Sequence, residues 1–86
     1  MPEISRFFGI IIAMYHGDHP PPHFHVRYAE HRAKIEIESG ALITGQLPRR
    51  VLALVREWRE LHIDELKHDW ELVEQRQPPN KIEPLE

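Results

Sequence analysis

The chain has 86 residues, 41% hydrophobic and 29% charged, with seven histidines and no cysteine. That length and balance suit one folded domain with a modest core, and they exclude a disordered chain, disulfides and thiolate metal sites. The formal net charge of −3 is uneven, with seven acids against three bases in residues 63–86 and seven against eight in residues 1–62, so no bulk basic field for nucleic acid exists.

The opening MPEISRFFG lacks both a basic leader and a small-residue cleavage site. RFFGIIIAMY follows, rich in β-branched and aromatic residues and apolar on both faces, which predicts a single central strand. Its apolar part, Phe7 to Tyr15 around Gly9, is too short to cross a bilayer. The sequence therefore reads as cytoplasmic, with no membrane partner. Gly17 and the run Pro20–Pro21–Pro22 end the strand, because proline has no amide hydrogen for a ladder. HFHVRY then alternates, with Phe24, Val26 and Tyr28 on one face and His23, His25 and Arg27 on the other. RAKIEIE alternates likewise, Ala33, Ile35 and Ile37 against Lys34, Glu36 and Glu38. A tight turn at Ala29–Glu30 joins the two as an antiparallel hairpin. Pairing 28 with 31 matches the apolar faces and sets His23 opposite Glu36 and His25 opposite Lys34.

Ser39–Gly40 marks the next turn, and ALIT a short strand stopping at Gly45. Pro48 sits where a first helical position belongs. Val51, Leu54, Val55, Trp58 and Leu61 recur at helical spacing, with Arg49, Arg50, Arg56 and Arg59 on the remaining surface. Interleaved Glu57 and Glu60 make that surface a solvated face. A second helical stretch runs from about Asp64 to Gln77 with Leu66, Trp70 and Val73 inward. The tail QPPNKIEPLE is proline-rich, and its KIEPLE end is able to add a strand to a sheet. The expectation is one α+β domain over residues 1–86. Its strand half spans 4–45, its helical half 48–77 and its tail 78–86. A three- or four-stranded antiparallel meander carries two C-terminal helices on one face.

MPEISRFFGIIIAMYHGDHPPPHFHVRY, IEIESGALITGQLPRR, LVREWRELHIDEL and the terminal KIEPL together resemble the bacterial family called domain of unknown function 4160. The third proline before HFH departs from the pair usual in that family. The resemblance implies the toxin-like half of a type II toxin–antitoxin pair, whose partner is a small antitoxin-like protein. It implies no established catalytic residues.

The histidines must therefore be argued from position. His23 and His25, at i and i+2 on a strand, point to one side. In one reading they are the acid/base pair of an RNA-cleaving site that needs no metal. Lys34 and Arg27 then neutralise phosphate, Glu36 orients His23, and Asp18 and His19 form the binding rim of the proline loop. In a second reading they hold zinc, with a third ligand from His19 or Asp18 across the loop, or Glu36 across the hairpin; His19, His23 and His25 are the leading set. In a third they decorate an exposed face of a non-enzymatic interaction module. Ligand atoms 3–4 Å apart would mark the metal site. His16, His31, His62 and His68 read as structural or solvated.

Overall fold

A computed structural model describes residues 2–86. Its strands are β1 (Glu3–Phe7), β2 (Ile10–Ala13), β3 (His23–Tyr28), β4 (His31–Glu36) and β5 (Leu42–Gly45). They form one antiparallel sheet in the order β1-β2-β3-β4-β5. Helices α1 (Arg49–Leu61) and α2 (Ile63–Glu74) follow. The α+β class holds, and the meander has five strands rather than three or four.

The extra strand comes from RFFGIIIAMY, which is a hairpin and not one strand. Phe8 and Gly9 both adopt left-handed φ, 51° and 78°, and close a two-residue turn between Phe7 and Ile10. A phenylalanine in that region gives no local turn signal, because L-residues avoid it. The hairpin hides Ile4, Phe7, Ile10 and Ile12 in one core layer, which is why the segment is so apolar. From β3 to β4 the expected register holds in full, including His23 opposite Glu36 and His25 opposite Lys34.

Between β4 and β5 the register shifts. Lys34 faces Thr44 and Ile35 faces Leu42, leaving Ile43 as the extra residue of a bulge. Gly45 ends β5 at φ +83°, with its α-carbon so close to β4 that a Cβ would stand 2.1 Å from the Arg32 carbonyl oxygen. Only glycine fits there.

Helix α1 presses Val51, Val55 and Trp58 onto the sheet, and Trp58 meets Phe7 and Phe24 at ring centroid distances of 5.5 and 5.9 Å. Four details differ from expectation. Pro48 precedes the helix as its cap residue instead of occupying the first turn. Leu61, expected inward, is exposed at the helix end. Arg59, expected on the solvated face, is buried: its Nε and Nη2 donate to the carbonyls of Ile37 and Glu38, each at 2.7 Å. Arg56 Nε donates to the Gly40 carbonyl at 3.0 Å, so two arginines of α1 hold the β4–β5 turn. His62 separates the helices, and α2 buries Leu66, Trp70 and Val73 as the spacing implied. The tail forms no strand. It lies beside β1, where the Ile82 amide donates to Ile4 O at 2.8 Å and Trp58 Nε1 donates to Glu83 O at 2.8 Å. Ile82 and Leu85 thereby close the core. Among the described residues no helix is long and apolar enough to cross a membrane.

Candidate metal centre

The strand period aims His23 and His25 to the same side of β3, and their ring centroids lie 5.2 Å apart. The proline loop, with a cis peptide between Pro20 and Pro21, folds back over that side. It delivers Asp18 to both rings. Asp18 Oδ2 stands 2.8 Å from His25 Nε2 and 3.4 Å from His23 Nε2. One potential ligand atom from each of Asp18, His23 and His25 falls within 4.8 Å of the others.

The two imidazoles differ in environment. His25 is partly exposed, with Tyr15 edge-on to its ring at 4.5 Å. His23 is 5% exposed, against Trp70 of α2 at 5.3 Å. Its Nδ1 lies 2.8 Å from the carbonyl oxygen of Pro21. A carbonyl only accepts, so Nδ1 carries the hydrogen and the neutral ring keeps its lone pair on Nε2. That Nε2 is buried and makes no hydrogen bond among the described residues, although it faces Asp18. A backbone-locked Nδ1–H with a bare Nε2 is the arrangement that orients histidine toward a metal.

Zinc–nitrogen bonds of about 2.0–2.1 Å place tetrahedral ligand atoms about 3.3 Å apart. The Asp18–His23 separation of 3.4 Å agrees with that figure, the 2.8 Å between Asp18 and His25 is a hydrogen bond, and all three atoms lie within 4.8 Å of one another. Two imidazoles and a carboxylate are a donor set for zinc or another first-row divalent ion, and three protein ligands leave a coordination position for water or substrate.

The other residues singled out from sequence take varied places. Lys34 is half-buried and makes no ion pair among the described residues. With Asp18, His19, Pro20, Pro21, His23, Ile43 and Thr44 it lines a cavity of about 200 Å³. His19 is exposed at that cavity and lies outside the converging set. Glu36 keeps its register opposite His23, but its carboxylate accepts from the Ser39 hydroxyl. Arg27 lines a different and smaller cavity with Tyr15, His25 and Arg32. Sequence reasoning gave no role to Tyr15, Thr44, Ile43 or the Pro21 carbonyl, and placed Trp70 only in the core. A bulge and a loop carbonyl leave no mark in residue periodicity, so nothing local pointed to them.

These features define a small α+β protein: an open five-stranded meander backed by two helices, with a carboxylate and two imidazoles gathered at one end of β3. Residues 9–71 match the family described as domain of unknown function (DUF4160), and the chain belongs to that family. No curated relative and no solved structure matches it.

Proposed function

We propose that the protein binds one divalent ion of the zinc class through Asp18, His23 and His25, in a centre with an open position for water or substrate. The observation that carries this reading is the His23 ring: Nδ1 fixed on Pro21 O at 2.8 Å, Nε2 buried and unbonded beside Asp18. A buried acceptor without a donor costs about 1–3 kcal/mol, and coordination to a cation removes that cost. Protein purified without an affinity tag should carry about one zinc per chain by elemental analysis, and Asp18→Asn or His23→Gln should carry less than a tenth of that. Metal-free wild-type protein that takes up neither zinc, cobalt nor iron would sink the reading.

A second reading follows from the family resemblance and the 2.8 Å contact between Asp18 and His25. The chain is then the toxin-like half of a type II toxin–antitoxin pair, bound by a small antitoxin-like protein. It cleaves RNA with His25 as acid and base, Asp18 orienting it and Lys34 facing phosphate. This version predicts that metal-stripped protein still cleaves RNA and that His25→Ala does not. RNA cleavage that survives His25→Ala refutes it.

A further inference from the structure

Resting on the metal reading above, we infer that the centre hydrolyses a phosphodiester whose phosphate sits in the cavity between the proline loop and β5. Lys34 makes no ion pair among the described residues, yet it lines the same 200 Å³ space as Asp18 and His23. A lysine without an ion-pair partner, in the lining it shares with two of the proposed ligands, can seat an anion that bridges its ammonium and the metal. Thr44 faces Lys34 in register and adds a hydroxyl to the wall. The β5 bulge lets both Thr44 and Ile43 line this space, although adjacent strand residues normally face apart. Pro20, Pro21 and Ile43 give it an apolar flank suited to the organic part of an ester.

The lining offers one carboxylate, Asp18, which the metal would occupy, and one imidazole outside the proposed ligand set, His19. Phosphoryl transfer asks less proton chemistry of the protein and depends chiefly on positioned positive charge, which an ion and Lys34 supply. In the reaction the oxygen of water bonds to phosphorus and one phosphorus–oxygen ester bond breaks. One proton of the water leaves with the alcohol, and the other passes to solvent from the phosphomonoester product.

The test uses the full chain loaded with one equivalent of zinc, with bis(p-nitrophenyl) phosphate as substrate and inorganic phosphate as competitor. The loaded protein should hydrolyse the diester well above the rate of free zinc. Lys34→Gln should lower kcat/KM by roughly a hundredfold, as loss of one charge-stabilising donor does. It should also weaken inhibition by phosphate while the metal content stays at one ion per chain. Lys34→Arg should recover most of the rate, which separates loss of charge from loss of fold. Loaded protein no faster than free zinc overturns the inference and leaves the metal centre standing. Unchanged kinetics in Lys34→Gln overturn it too. Failure to bind zinc at all removes the reading beneath both.

Discussion

Replacing Arg59 by alanine removes the clamp that joins α1 to the end of β4. Arg59 is 8% exposed, and its guanidinium donates two bonds of 2.7 Å, to Ile37 O and Glu38 O. Hydrogen bonds from a charged donor contribute about 1.5–3 kcal/mol each. Ile37 is buried, so its carbonyl loses its arginine partner inside the core, whereas exposed Glu38 regains water. Counting the first bond in full and the second in part, and allowing for relief of the buried charge, the net loss is about 3 kcal/mol. Unfolding entropy near 2.1 cal/mol/K per residue gives about 180 cal/mol/K for this chain, so Tm should fall by about 17 °C. Arg59→Lys should fall between, because one ammonium cannot span both carbonyls as a planar fork does. The assay is thermal unfolding followed by circular dichroism, with exposed Arg49→Ala as a control expected to shift Tm by less than about 2 °C. A drop in Arg59→Ala no larger than that of the control would refute the clamp.

Two further changes test backbone and charge. Gly45→Ala should cost at least about 2 kcal/mol in urea unfolding, since its Cβ would lie 2.1 Å from Arg32 O at a φ of +83°; full stability in that variant would refute the close β4–β5 approach as a constraint on this position. Asp69, 1% exposed, accepts from the Asn80 amide at 2.8 Å on Oδ1 and has no partner on Oδ2. Burial raises its carboxyl above the ordinary range, against the opposing pull of the Asn80 hydrogen bond. A raised folded pKa gives stability that is whole below the unfolded value and lost as pH rises through the folded one. Asp69→Asn should therefore exceed wild type in Tm at pH 7, and the gap should close below about pH 4; a gap that widens in acid would reverse the sign of the argument.

The hairpin of β3 and β4 was legible because period-2 patterning leaves one register that buries both apolar faces, and a slip of one residue would expose them. The β1–β2 hairpin was not. Its turn places Phe8 at φ 51°, a conformation that local propensity assigns to glycine or asparagine, and tertiary burial of the flanking isoleucines overrides that preference. Arg59 failed to declare itself for a related reason. Helical spacing assigns it a face, but only the position of the β4–β5 turn decides that this face meets two open carbonyls.

The site divides along the same line. Strand periodicity alone brings His23 and His25 together, and that much the alternation of HFHVRY contained. The carboxylate that joins them was open to choice, because Glu36 is the cross-strand neighbour of His23 while Asp18 is five residues away along a loop. Two local bonds decide between them. Glu36 is turned to the Ser39 hydroxyl at the end of β4, whereas Pro21 O fixes the His23 ring so that Nε2 looks at Asp18. The prolines matter to the chemistry through that carbonyl. Proline lacks an amide hydrogen but keeps its acceptor, so the loop can pin the tautomer of a histidine two residues on. An imidazole so pinned, buried against Trp70 with Nε2 toward a carboxylate and near a second imidazole, has the orientation that the proposed metal centre requires.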